Sequence, residues 1–346
     1  MESREIGSVV PETLREYAAL TRSALDRRLP SMEPRRYLYD LVADYPRRGG
    51  KGLRPSLCIA ASRVFGAAVE EALSVAVFIE LLHNATLVLD DIQDESEERR
   101  GRPALHVLHG VPLALNAGTS LTLLSFLPLV EHCARLGPQL ALRIVAETER
   151  MTRELIEGQA LELGWRRDNV IGLGDEDYFE MVLKKTCWYG MMYPAALGAL
   201  TGTRNPGLDL APFLRYGYFV GAAFQVRDDV LNLVGTEAYG KEINGDIWEG
   251  KRSLILIHLL REAVPAERDR LIALLALPRA ARSEADVLWV RRLMDRYGSI
   301  EYAQRIAEGM AGAALHEHSL AYGHLPESRD KAFLRELASW VVLRTS

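Results

Sequence analysis

Apolar positions recur at helical spacing in long stretches, around residues 67–97, 111–136, 138–164, 175–203, 208–234 and 252–263, separated by short breaks that contain Gly or Pro. Stretches of that length predict helices, and the scarcity of alternating Val/Ile/Thr runs argues against a sheet. Ala67 to Leu89 is apolar on nearly every face, which places it in the middle of a bundle. Phe333, Leu334, Leu337, Trp340 and Val341, following Pro326, predict an outer amphipathic helix. The breaks near 204–207 and 235–245 read as loops within one bundle. The expectation is a single all-α domain over residues 1–346, with no internal repeat.

Composition narrows the picture. The chain has 346 residues, 48% hydrophobic and 26% charged, with a formal net charge of -5. That is an ordinary globular balance, without the basic footprint that nucleic acid or a membrane surface would require. Val111 to Val130 carries no charge and is long enough to span a bilayer, yet it contains Pro112, Asn116, Thr119, Ser120 and Pro128. It is read as a buried core helix, so no transmembrane segment is expected. Cys58, Cys133 and Cys187 form no close pair and predict free thiols. The opening MESREIGSVV lacks an apolar export signal. Secretion is therefore not expected. His316 and His318 are read as surface residues rather than metal ligands.

Chemistry concentrates in a few places. In HNATLVLDDIQDESEERRGRP, residues 83–103, an apolar run ends abruptly in Asp90, Asp91 and Asp94. At about 100° per residue His83, Asp90 and Asp94 share one helical stripe. Carboxylates near a helix C-terminus oppose the macrodipole and repel one another, so they call for a cation. Mg²⁺ suits them, because it takes one or two carboxylates and completes its shell with water and phosphate oxygens. Alone, the acidic run beside Arg99 and Arg100 would equally describe a solvated helix end. FQVRDDVLN, residues 224–232, repeats the paired aspartate on a second apolar helix, with Gln225, Asp228 and Asn232 on or near one face. Two such helices facing each other would form two walls of a polynuclear metal site around a diphosphate. Lys51 and Arg54 in GGKGLRP, Lys184 and Lys185 before Thr186, and Lys241 and Lys251 in GKEINGDIWEGKRS supply cations around it.

These motifs, with GQALEL, lie between about Gly49 and Leu260 in an order and spacing that resemble the trans-isoprenyl diphosphate synthases of the polyprenyl synthetase family, most of all the geranylgeranyl diphosphate synthases. The resemblance implies a large helical bundle with a central substrate cavity, a homodimer in the cytoplasm, and Mg²⁺ as cofactor, three ions per site. It implies Asp90, Asp94 and Asp228 as metal ligands, with Asp91 and Asp229 in support. Arg99, Lys185, Lys241 and Lys251 would hold an allylic diphosphate (dimethylallyl, geranyl or farnesyl). Lys51, Arg54, His83 and Arg100 would hold isopentenyl diphosphate. Thr186 and Gln225 would face the allylic cation, and Gln159 would line the pocket. Ionisation of the allylic diphosphate, attack by the isopentenyl double bond and proton loss to the departing diphosphate would extend the chain without a His or Glu base. The sequence departs from the common pattern at Asn232, where many members have Asp; its side-chain carbonyl could still orient a metal-bound water.

Product length is a packing question. Ala85, about 7.5 Å below Asp90 along the helix, and Thr86 are small, which leaves the pocket open and favours a C20 product. Leu123, Phe126 or Trp188 could close it instead. Two other functions share parts of this pattern. A class I terpene cyclase would need neither the isopentenyl-binding cations nor this second motif, and a non-catalytic partner subunit should have lost the first.

Overall fold

A computed structural model describes residues 9–235 and 243–344. In order these form α1 (Val9–Asp26), α2 (Asp40–Arg47), α3 (Leu53–Arg63), α4 (Val69–Gln93), a two-strand hairpin, α5 (Leu105–His109), α6 (Val111–Cys133), α7 (Pro138–Arg167), α8 (Asp175–Val182), α9 (Tyr193–Thr203), α10 (Ala211–Val234), α11 (Gly245–Glu249), α12 (Leu254–Glu262), α13 (Pro265–Leu275), α14 (Glu284–Arg296), α15 (Ser299–Tyr322) and α16 (Arg329–Leu343). Proline within the first two positions starts α6, α7, α9, α10 and α13, where its missing N–H is not needed. Ser253, Ser283 and Ser328 cap α12, α14 and α16 through their side-chain oxygens.

The all-α expectation holds, and α4 is the central helix. Val75, Phe78, Ile79 and Leu82 enter the large core, while Val77, Leu81, Ala85 and Val88 enter a second cluster with residues of α1, α2 and α6. Helices α4 with α6, α10 with α15 and α3 with α9 share the most extensive contacts. Four expectations need correction. Residues 175–203 are not one α-helix, because Leu183–Met192 is π-helical. Helix α6 is only half a core helix: it packs on α4 along one side, while Leu115, Leu123, Leu127 and Val130 are exposed on the other. Helix α16 is less peripheral than predicted, since it inserts among α1, α3, α10 and α15 and buries Phe333, Leu334, Leu337 and Val341 completely. His318 is likewise buried, packed on Tyr216 and Tyr322, and burial pushes its pKa down to about 4.

The π segment is what brings α7 close. A Cβ on Gly158 would lie 2.2 Å from the Lys185 amide nitrogen, so α7 crosses the π segment in backbone contact that only glycine allows. On the far side a Cβ on Gly217 of α10 would lie 2.5 Å from Met192 Cα. Gly164, on the same helix as Gly158, faces open space. Gly158→Ala is therefore expected to cost about 1–3 kcal/mol through overpacking, whereas Gly164→Ala should be neutral or stabilising by up to about 1 kcal/mol. Urea unfolding of the two variants checks the contrast.

Candidate active site

The first wall is the last two turns of α4. His83, Thr86, Asp90 and Asp94 are accessible along one stripe, and Asp91 points the other way, fully buried. Asp91 accepts from Tyr45 Oη at 2.5 Å and from Arg99 Nε at 2.9 Å, with Arg99 Nη2 closing a bidentate pair. Arg99 is thus anchored from behind the wall. The hairpin that carries it pairs Glu98 with Pro103 and Arg99 with Arg102, and turns through Arg100 and Gly101, both with positive φ (55° and 70°). That is a type I′ turn, in which Arg100 bears a conformation costly for a residue with a Cβ. Arg48 holds the hairpin by donating to the carbonyls of Arg99 and Pro103, each at 3.0 Å.

The second wall is on α10. Asp229, 1% exposed, accepts from Tyr178 Oη at 2.7 Å, from Gln225 Nε2 at 2.8 Å and from Lys251 Nζ at 3.4 Å. Because a carboxylate only accepts, Gln225 must turn its amide N–H₂ to Asp229 and its carbonyl to Thr186, whose Oγ1 donates at 2.9 Å. Thr186 therefore keeps only lone pairs for any other neighbour. Asp228 pairs with Arg344 at 2.8 Å. Asn232 Oδ1 accepts from the Asp246 amide at 3.0 Å, tying α11 to the end of α10.

Helix α7 and the π segment close the space between the walls. Gln159 Nε2 donates to Asp90 Oδ1 at 3.2 Å and to Gln93 Oε1 at 2.7 Å. Lys184 and Lys185 diverge: Lys184 turns outward to Glu154 and Glu157, and Lys185 turns inward to Glu162 and, at 3.4 Å, to Asp90. Adjacent residues of one π turn thus touch opposite walls, Lys185 on α4 and Thr186 on α10. Arg166 pairs with Asp94.

A separate cationic corner lies where α3 meets the π segment. Arg54 donates to Tyr189 Oη at 2.9 Å and lies over that ring at 4.7 Å, and the ring of His83 is 6.1 Å from the same tyrosine. Arg54 Nε is buried without a hydrogen-bond partner among the described residues. Arg100 donates to the Tyr45 carbonyl at 3.0 Å and lies against Gly50, where a Cβ would be 2.8 Å from its Nη2. Lys51 is exposed on the neighbouring loop. Lys241 lies outside the described residues.

Charge is out of balance at the walls. Asp90, Asp94, Glu162, Asp228, Asp229, Asp246 and Glu249 outnumber Lys185, Lys251, Arg166 and Arg344. Burial, then Asp90, pushes Asp94 up to about 6. Glu249 rises through burial and the charges of Asp94 and Asp246. Lys185 and Lys251 rise despite burial, because the carboxylates around them outweigh it. Glu162 falls despite burial, because Lys185 and Lys251 outweigh it. Among the described residues no three His, Cys, Asp or Glu side chains are placed to hold a metal ion by themselves. A hard cation here would need outside oxygens, as a phosphate provides.

The chain-length residues separate. Thr86 is on the accessible stripe, while Ala85 is wholly buried in the cluster shared with α6. Leu123 is 69% exposed on the outer surface, and Trp188 is buried beneath Arg150. Phe126 packs on Phe78 with tilted rings (5.6 Å), which contacts Tyr193 (6.1 Å), whose hydroxyl meets Thr148 at 2.6 Å. Sequence reasoning missed Glu162, Arg166, Tyr189, Asp246, Glu249 and Arg344. Glu162 and Glu249 had a signal, each sitting within one turn of a residue already singled out.

An all-α bundle with an acid-rich cleft, lined by lysines and arginines from helices, loops and the hairpin, is the plan of a helical enzyme that handles polyanionic substrates. The chain belongs to the polyprenyl synthetase family, which its residues 35–294 match. It is 36% identical over 262 residues to a short chain isoprenyl diphosphate synthase of Methanothermobacter thermautotrophicus, covering 75% of this chain and 77% of that one. It is 31% identical over 339 residues to a geranylgeranyl pyrophosphate synthase of Geoglobus acetivorans, covering 97% and 99%. Among solved structures, a geranylgeranyl pyrophosphate synthetase of Pyrococcus horikoshii superposes with a TM-score of 0.83 at 32% identity, covering 97% of this chain and 98% of that one. A polyprenyl synthase of Caulobacter crescentus, complexed with calcium and isoprenyl diphosphate, gives 0.82 at 28% identity, covering 99% and 100%.

The raised Asp94 has a thermodynamic consequence. An ordinary Asp titrates near about 3.9, so the folded protein keeps this proton to higher pH than the unfolded chain. Folded stability then falls as pH rises from about 4 to about 6 and is level above. Without metal, wild type should lose on the order of 1–2 kcal/mol relative to Asp94→Asn across that window. Urea unfolding in chelator at several pH values checks this, and parallel curves would remove Asp94 as the cause.

Proposed function

We propose that this protein is a Mg²⁺-dependent prenyltransferase that condenses isopentenyl diphosphate with an allylic diphosphate into a linear trans-polyprenyl diphosphate, mainly geranylgeranyl diphosphate (C20). The observation that carries this reading is the separation of two sets of cations: Lys185 and Lys251 between the aspartate walls, and, apart from them, Arg54 on Tyr189 with Arg100 on the Tyr45 carbonyl and Gly50. Two diphosphates need two such sets, whereas a cyclase needs one. The metal-bound neighbour from Caulobacter crescentus and the excess of carboxylates at the walls both support divalent ions at Asp90, Asp94 and Asp228.

Each group of residues then has a task. Lys185 and Lys251, with Arg99 and Lys241 as further expected contacts, hold the allylic diphosphate against the walls. Bound Mg²⁺ would neutralise the charge that builds on that diphosphate as its C–O bond ionises. Asp229 fixes Gln225, and Gln225 fixes Thr186, so the Thr186 oxygen presents its negative end to the allylic cation without reorganising. Arg54, Arg100, His83 and Lys51 hold isopentenyl diphosphate beside it, which makes the condensation effectively intramolecular. The departing diphosphate takes the proton.

Phe78, twelve residues before Asp90 and so about 18 Å along α4, forms with Phe126 and Tyr193 a bulky floor that suits a long product. Incubation with Mg²⁺, isopentenyl diphosphate and each allylic starter should yield a linear C20 diphosphate, lost on chelation and in Asp90→Ala. Thr86→Phe should shorten the main product. Cyclic hydrocarbon formed without isopentenyl diphosphate would overturn the reading.

The exposed stripe of Leu115, Leu123, Leu127 and Val130 on α6, with Leu142 and Val145 on α7, supports a homodimer through this face. Residues 1–346 act as one cytoplasmic catalytic domain. Leu127→Glu should shift the protein toward monomer in analytical ultracentrifugation, and an unchanged sedimentation coefficient would place the contact elsewhere.

A further inference from the structure

Two arginines outside every motif sit on the aspartates proposed to bind metal. Arg344, immediately after α16, brings Nη2 to 2.8 Å from Asp228 Oδ1 and to 3.3 Å from the Phe224 carbonyl, and its Nε to 3.2 Å from the Val341 carbonyl. Its guanidinium lies 4.1 Å over the Phe224 ring, and its side chain is only 4% exposed. Its own carbonyl accepts from Arg227 Nε at 3.2 Å and Nη2 at 2.8 Å. So many fixed contacts describe a built position, not a surface side chain passing by. On the other wall Arg166 of α7 pairs with Asp94, both largely shielded.

A guanidinium already bound to a carboxylate oxygen competes with a dication for that oxygen and repels it across a few ångströms. We propose that Arg166 and Arg344 are resident counter-cations that position Asp94 and Asp228 and keep the affinity of the substrate-free walls for Mg²⁺ low. This rests on the reading of those aspartates as metal ligands. The two arginines come from distant parts of the chain, one for each wall, and together they stabilise carboxylates that would otherwise repel one another.

The test is titration calorimetry with Mg²⁺ alone, and with Mg²⁺ plus inorganic pyrophosphate, on the full chain. Arg166→Gln and Arg344→Gln should each tighten binding of Mg²⁺ alone by about fivefold or more, the double variant should exceed either, and Arg344→Lys should stay near wild type. Unchanged or weaker binding in variants with wild-type circular dichroism would overturn the proposal. Should Arg344→Gln fail to fold, Arg166→Gln and Arg344→Lys decide it. If wild type binds Mg²⁺ plus pyrophosphate and Asp90→Ala does not, unchanged arginine variants refute this inference alone. If wild type binds neither probe, the metal-site reading falls as well.

Discussion

Like charges held together out of bulk water govern this molecule. Carboxylates from α4, α7, α10 and α11 converge in a partly buried cleft, where each raises the free energy of the others. Every neighbouring cation answers that constraint. Lys185 sits between Asp90 and Glu162, Lys251 between Asp229 and Asp246, Arg166 on Asp94 and Arg344 on Asp228. The helices are arranged so that these pairs can form. Backbone contact at Gly158 and the π turn at Leu183–Met192 are the means of arranging them.

The chemistry of the walls and the chemistry of the corner are kept apart by the same element. The π segment sends Lys185 and Thr186 to the walls and, within one further turn, Tyr189 to Arg54. Two anionic substrates could thus be held by one continuous stretch of backbone without sharing a cation. Asp91 and Asp229, the second members of their pairs, serve this separation from behind: each is buried, takes a tyrosine hydroxyl, and anchors a cation or an amide that faces the cleft.

Much of this was legible because it is local. A carboxylate pair closing an apolar run announces a buried helix end, and its i, i+4 partners follow from helical geometry. The order of the motifs carried the family. What stayed hidden depends on contacts across the chain or on one residue of register. Arg344 is 116 positions from Asp228, with nothing in its neighbourhood to mark it. Lys184 and Lys185 look alike until the π turn sets their directions. Ala85 and Thr86 look alike in the sequence, but Thr86 is on the accessible stripe and Ala85 packs on α6. Helix α6 looked buried because it lacks charge, but lack of charge fits a face awaiting a partner as well as one inside a core. The helices from α13 to α15 gave no segment of their own, since Ala-rich and charged stretches blur the period on which the reading relied.

The π turn also limits how the chain can change in length. A π-helix carries one more residue per hydrogen-bonded ring than an α-helix, i to i+5 in place of i to i+4. Removing a single residue between Leu183 and Met192 would let the segment relax into a regular α-helix, re-aiming the side chains inside it as the number of residues per turn falls. Lys185 and Thr186 would then no longer address their two walls together with Tyr189 addressing Arg54. Substitutions in this stretch can be judged one side chain at a time, but a change of length cannot: its residue count is itself part of the site.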